Sequence, residues 1–286
     1  MKHRFFLNRE SVARMKSFGE ENETLRDQDV LPESEQPVSG SEAPADSASY
    51  EAAFRTDVGL VRLSNQDTPI LEGVVFGVAD GMGGHNGGEI ASACTREALL
   101  QELNEHEPDE VFLAEAVERV NTAVYQRSLE DEALEGMGTT LTVLWLGEKH
   151  AFIAQVGDSR CYRLRDGELE QLTDDHSIVM DLVRAGILTR DQAAHHPMRN
   201  VITRAIGTDE AVTVDTRAEE RVRGDLYLLC SDGLYGMMEE DELKDILCSA
   251  DDLESAADRL LKAALDGGGR DNVTLVLLRD LEGSHE

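Results

Sequence analysis

Residues 74–89 read VVFGVADGMGGHNGGE. An apolar run ends on Asp80, and Gly81, Gly83, Gly84, Gly87 and Gly88 follow. The run at 74–79 has the β-rich composition and turn-bounded length of a buried strand. The glycines predict a backbone that turns tightly and approaches a ligand closely, so that a carbonyl there can itself bind metal. One Asp-Gly pair is only an ordinary turn signal. What matters is whether other acids stand in the same relation to a strand.

They do. Similar short apolar runs occur at 140–146 (TLTVLWL), 151–156 (AFIAQV), 226–230 (LYLLC) and 273–278 (VTLVLL). Asp158 follows the run at 151–156, Asp232 follows 226–230, and Asp271 just precedes 273–278. In an antiparallel sheet the end of one strand lies beside the beginning of its neighbour, so the four acids are expected at one sheet edge. Carboxylates gathered there repel one another unless a proton or cation intervenes. Hard oxygen ligands select magnesium or manganese over zinc. Paired ions of this kind suit in-line displacement at phosphorus, which also calls for a cation on the phosphate oxygens. Arg62, in TDVGLVRLSNQD, is the candidate, because a guanidinium binds phosphate through two hydrogen bonds.

Composition narrows the function classes. The 286 residues carry 27 basic against 58 acidic side chains, a net charge of −31. Such a surface repels a phosphate backbone, so general nucleic-acid binding is not expected. The four cysteines, Cys94, Cys161, Cys230 and Cys248, form no CxxC pair. That points to free thiols in a reducing compartment rather than a zinc site or disulfide framework. No apolar run approaches a membrane span, and a cytoplasmic protein is expected.

Along the chain the composition shifts near residue 50. Residues 1–16 are basic, whereas 20–46 are acidic and rich in proline and serine. Residues 1–49 are therefore expected to be a disordered extension, with 50–282 as the folded domain and 283–286 as a tail. A basic start that folds over the acidic site is one role for the extension. Within the domain, Leu113, Ala116, Val117, Val120 and Val124 fall at helical spacing, as do Leu253, Ala256, Ala257, Leu260, Leu261 and Ala264. Consecutive strands mixed with helices predict an α+β fold with antiparallel sheets flanked by helices.

The blocks TDVGLVRLSNQD, VADGMGGHNGGEIAS, GMGTTLTVL, AQVGDSRCYRLRDGELEQLTDDHS, HPMRNVITRAIG, GDLYLLCSDGLYGMM and GGGRDNVTLVLL occur in this order over about residues 53–280. Together they resemble the metal-dependent serine/threonine phosphatases of the protein phosphatase 2C family, in its bacterial form. The resemblance implies a sandwich of two antiparallel β-sheets flanked by α-helices, and a flap at 177–206. It implies two Mn2+ or Mg2+ ions, with a third in bacterial members. Asp80 would bridge the two ions, the Gly81 carbonyl would complete one, and Asp232 and Asp271 would hold the other. Asp158 corresponds to the acid of the third ion, Asp67 would support the metal waters from behind, and Arg62 would clamp the phosphate. Thr139 and Thr140 read as core or bracing residues, and His195 and His196 as part of the flap's turn.

One departure concerns the proton for the leaving group. Animal members place a histidine after this Asp-Gly, whereas the position here is Met82, whose thioether cannot donate. His85 in the same loop, a metal-bound water and an unassisted departure are the alternatives for that duty. The expected partners are phosphorylated proteins and a cognate serine/threonine kinase, with a monomeric enzyme and neither nucleic acid nor membrane. A phosphatase-like binding module and a phosphatase of small phosphoesters are the competing readings.

Overall fold

The computed structural model describes residues 38–42, by their backbone, together with 49–83 and 87–282. Two antiparallel sheets are stacked face to face. One runs in the order β1 (Val38–Glu42), β2 (Tyr50–Asp57), β12 (Val273–Asp280), β11 (Leu226–Cys230), β8 (Arg160–Arg165), β9 (Glu168–Gln171). The other runs β10 (Asp215–Glu220), β7 (His150–Val156), β6 (Leu141–Leu146), β4 (Val75–Met82), β3 (Asp67–Glu72), with β5 (Gly138–Thr139) paired to β4 beyond the end of β6.

The central strands read as unbroken apolar runs because both of their faces are covered. Successive side chains of a strand point to opposite faces. In β6, Leu144 and Leu146 enter the layer between the sheets, while Leu141, Val143 and Trp145 face outward against helices. In β12, Val276 and Leu278 point inward and Val273, Leu275 and Leu277 outward. The inter-sheet layer joins Phe76, Val78, Leu144 and Ile153 to Tyr227, Leu229, Val276 and Leu278. Each such side chain contributes about 1.5–3 kcal/mol on burial. Trp145, 2% exposed, is the largest of these buried groups, and Trp145→Ala would cost about 3–5 kcal/mol.

Helices cover both outer faces. α1 (Gly87–Leu103) and α2 (Glu110–Glu130) lie on the second sheet, and Leu113, Ala116, Val117, Val120 and Val124 form the expected buried stripe. Asp109 caps α2 by accepting from the Phe112 N–H. Two further helices, labelled α6 (Glu240–Ser249) and α7 (Leu253–Asp266), cover the first sheet, and Asp252 caps the second of them. The segment expected to be a flap folds into α3 (Ile178–Arg184) and α4 (Arg190–Ala194), with a bridge between Ser177 and Ile202 closing its root. A single turn, α5 (Asp232–Tyr235), follows β11.

The α+β sandwich is thus as expected. Within the expected extension, residues 38–42 pair antiparallel with β2 over Val38–Thr56 to Glu42–Ala52. An edge strand gains its place from backbone hydrogen bonds, so VSGSE carries no apolar signature. The remainder of the expected extension, residues 1–37 and 43–48, lies outside the described residues, as do 283–286.

Candidate active site

β4 carries Asp80 to its end and fixes the backbone on both sides. The Asp80 N–H donates to Thr140 Oγ1 at 3.0 Å, and the Asp80 carbonyl accepts from the Thr140 N–H and from Thr139 Oγ1, each at 2.8 Å. Across the strand pair, Asp80 stands opposite Asp67. Gly81 has no room for a side chain: a Cβ would lie 2.1 Å from the Gly88 carbonyl oxygen and 2.5 Å from that of Gln66. The glycines after Asp80 therefore let the start of α1 press directly against the strand carrying the acid.

The other acids arrive from separate elements. Asp158 follows β7 behind Gly157, whose φ of +105° and Cβ approach of 2.6 Å to Thr140 both demand glycine. Asp232 opens α5 immediately after β11, and the next residue, Gly233, is packed on the Asn272 carbonyl. Asp271 precedes β12; its Oδ1 accepts from the Asn272 N–H and its Oδ2 from Arg62 Nη2 at 2.7 Å. The sequence reading expected a single sheet edge. Instead Asp232 and Asp271 flank the β11–β12 pair of one sheet, whereas in the other Asp80 lies near the end of β4, which runs on to Met82, and Asp158 follows β7. The acids meet at the end of the sandwich where both sheets stop.

Their mutual influence is electrostatic. Burial pushes the Asp80 carboxyl well above its ordinary range, reinforced by the charges of Asp67, Asp232, Asp158 and Asp271. Burial and the charges of Asp158, Asp271 and Asp67 raise Asp232 to about 8 against the pull of Arg62. Burial and the Asp175 charge lift Asp158 to about 7. Asp67 rises to about 6 through burial, opposed by hydrogen bonds such as that from Ser231 Oγ at 2.7 Å. Among the described residues its buried Oδ1 has no hydrogen-bond partner. Arg62 is held strongly protonated by its bond to Asp271, with Asp232 and Asp80 also within range of its charge.

This arrangement tests whether a divalent cation fits. An all-oxygen donor set, mutual carboxylate repulsion and an orphaned buried Asp67 oxygen all favour a hard cation. As the side chains stand, no three acidic, histidine or cysteine groups among the described residues form a closed ligand set. Asp271 has both oxygens engaged, by Arg62 and by the Asn272 N–H, so closure requires these side chains to turn. The residues fit the ions in chemistry and in location.

The family description Protein phosphatase 2C matches residues 63–267. The chain belongs to the protein phosphatase 2C family. Among relatives, it is 39% identical over 246 residues to the serine/threonine phosphatase stp of Listeria monocytogenes, covering 80% of this chain and 96% of that protein. The crystal structure of the Mycobacterium tuberculosis serine/threonine phosphatase PstP/Ppp superposes with a TM-score of 0.77 at 40% identity, covering 82% of this chain and 99% of that one. The catalytic domain of PstP in complex with 2 manganese ions gives a TM-score of 0.74 at 38% identity, covering 81% and 98%. Membership of the phosphatase 2C family makes this chain a serine/threonine protein phosphatase of the bacterial type, as its motifs implied.

In this phosphatase the structure brings Asp67, Asp80, Asp158, Asp232, Asp271 and Arg62 to one place, and Thr139 and Thr140 brace Asp80. His85 lies outside the described residues. His195 and His196 stand in the exposed turn after α4. Sequence reasoning missed Asn272, whose Oδ1 accepts from the Gln66 N–H while its amide donates to the Val58 and Ser64 carbonyls. That one side chain ties the loop carrying Arg62 to the residue after Asp271. It also missed His176, 1% exposed, which binds Gly157 twice: Nδ1 accepts from the Gly157 N–H at 3.1 Å, and the His176 N–H donates to the Gly157 carbonyl at 2.9 Å. Both sit beside acids in quoted blocks (RDN and DHS), but adjacency alone does not reveal which backbone groups they hold.

Proposed function

We propose that this phosphatase hydrolyses phosphoserine and phosphothreonine on proteins by direct attack of water, with two divalent cations, manganese or magnesium, at the acidic end of the sandwich. Asp80, the Gly81 carbonyl, Asp232 and Asp271 would hold the two ions, and Asp158 would offer a place for a third. Bound there, such ions supply Lewis acidity and lower the pKa of water toward neutrality. The observation that carries this reading is the gathering of buried carboxylates whose main neighbouring charges are one another. The manganese-bound PstP catalytic domain, similar in fold and sequence, supports it.

The chain's own residues do the rest. Thr139 and Thr140 keep the Asp80 backbone from moving as its carboxylate takes up charge. Ser231 orients Asp67, which backs the site from β3. Arg62, half-exposed and bonded to Asp271, would turn its fork to the phosphate oxygens of a substrate. Met82 cannot supply the proton that a serine alkoxide needs on leaving, and His85 in the same loop is the side chain assigned to it. None of the four thiols is paired, which supports action in the cytoplasm; there the enzyme would act as a monomer and oppose a serine/threonine kinase. Among the described residues no helix is long and apolar enough to cross a membrane.

The test is release of phosphate from a phosphothreonine peptide. Turnover with manganese, lost in chelator and in Asp232→Asn, is the expected outcome. A folded protein with no turnover under any of these metals would reduce the chain to a binding module.

A further inference from the structure

Arg62 stands within a run of exposed apolar side chains. Leu60, Val61 and Leu63 are 68%, 64% and 93% exposed. Among the described residues Val74, Val111, Leu129 and Ile187 have no exposed large apolar neighbour in sequence, and Met198 and Val201, three residues apart, are less exposed at 41% and 43%. A cluster at the phosphate-directed arginine is not ordinary, because grouped exposed apolar side chains mark places of contact.

The run is not exposed through looseness. The Leu60 N–H donates to the Gly269 carbonyl at 2.7 Å, and the Gly59 N–H donates to Asp57 Oδ1 at 2.7 Å. Asn272 holds the Val58 and Ser64 carbonyls on either side at 3.0 and 2.9 Å. Gly59 has φ +78°, and a Cβ there would lie 2.3 Å from the Asp271 carbonyl oxygen. The loop is therefore held against the residues that carry Asp271, and its apolar side chains are presented ahead of any binding. Contacts made by such a preformed surface lose little to ordering.

Position beside Arg62 identifies the occupant. Successive residues of an extended chain are about 3.3 Å apart. A phosphoresidue engaged by Arg62 therefore brings its immediate neighbours within reach of the loop that carries Leu60, Val61 and Leu63. Long-range charge works against this approach, since the chain carries a net charge of −31 and the site is ringed by acids. Apolar contact beside the phosphate is an attraction that survives this repulsion. We propose that Leu60, Val61 and Leu63 form a docking rim that selects phosphoprotein segments with apolar side chains immediately flanking the phosphoserine or phosphothreonine. This rests on the reading of the site as a phosphatase.

The test compares two phosphothreonine peptides of equal length and charge, flanked by leucine and valine in one and by serine and asparagine in the other. The kcat/KM for each is measured with manganese on the full chain, relative to that for p-nitrophenyl phosphate, which has no flanking residues. The wild type is expected to favour the apolar-flanked peptide by about three- to tenfold. Leu63→Ser should remove most of that preference, whereas Val111→Ser, on the exposed face of α2, should keep it. Equal wild-type rates on the two peptides, or a preference that survives Leu63→Ser, would overturn the proposal. So would a concentration-dependent dimer abolished by Leu63→Ser at unchanged peptide preference, which would give the rim to a second copy of the chain. Failure to hydrolyse p-nitrophenyl phosphate at all would sink the phosphatase reading itself, and the rim with it.

Discussion

The two ends of β12 bury carboxylates in opposite company. At its far end Asp280, 0% exposed, receives Arg221 Nε at 2.7 Å and Nη2 at 2.8 Å in a two-pronged pair. Asp225 is likewise paired with Arg165. At its near end Asp80, Asp67, Asp158 and Asp232 face one another, and Arg62 bonds to Asp271 alone. A buried acid with its own arginine is complete, and breaking the pair leaves an uncompensated charge. A buried acid facing acids is complete only with a cation from outside. The contrast separates carboxylates that hold the fold from those that serve a reaction.

Substitution at each end should show it. Asp80→Asn is expected to lower kcat/KM by roughly a hundredfold or more while leaving the melting temperature of the chelated protein unchanged or higher, because it relieves repulsion. A melting temperature that falls sharply would place Asp80 with the structural acids. Asp280→Asn should do the reverse. It removes the two-pronged counter-charge beneath the buried Arg221, and denaturant unfolding should record a loss of about 3–5 kcal/mol. The protein that remains folded should keep its kcat.

Arg62→Lys probes the boundary between the two ends. It keeps the charge and loses the fork, so KM for a phosphopeptide should rise by roughly tenfold with little change in unfolding free energy. A destabilisation as large as that of Asp280→Asn would make the Arg62–Asp271 bond a structural pair instead.

His176 provides the smallest effect and the finest cut. Burial holds its imidazole below the ordinary value of 6.5, helped by the Arg204 charge and opposed by the bond with Asp215. The folded protein therefore binds fewer protons than the unfolded chain just below pH 6.5. Stability from this group is present above that pH and lost as pH falls through it. His176→Gln should flatten the decline in melting temperature between pH 7 and 5.5. His176→Asn retains an acceptor for the Gly157 N–H, and His176→Ala should cost about 1–3 kcal/mol more by leaving that donor unpaired. Equal melting temperatures for the Asn and Ala variants would show that the Gly157 bond holds nothing.

How far the sequence revealed this depends on burial. β4, β6, β7, β11 and β12 are covered on both faces, so their apolar runs were readable and their ends located the acids. β9 (ELEQ) and β10 (DTRAEE) are sheet edges with alternating, charged side chains, and neither carries a run to read. β2 hides Arg55, 5% exposed, under the Asp258 and Glu254 carboxylates, a pairing that only the fold creates. The acids were legible because each stands next to a strand end. That they come from two sheets was not, because strand order is not written in the spacing. Asn272 and His176 act on backbone groups more than ten residues away in sequence, and short-range patterns carry no trace of such bonds.

The most direct test of the acidic end as a cation site is a manganese titration of the full chain, with melting temperature and phosphate release followed in the same samples. Both should rise over one range of manganese concentration in the wild type, and neither should rise over that range in Asp80→Asn. Phosphate release that persists in chelator, or a manganese-dependent rise in melting temperature unaltered by Asp80→Asn, would contradict the account.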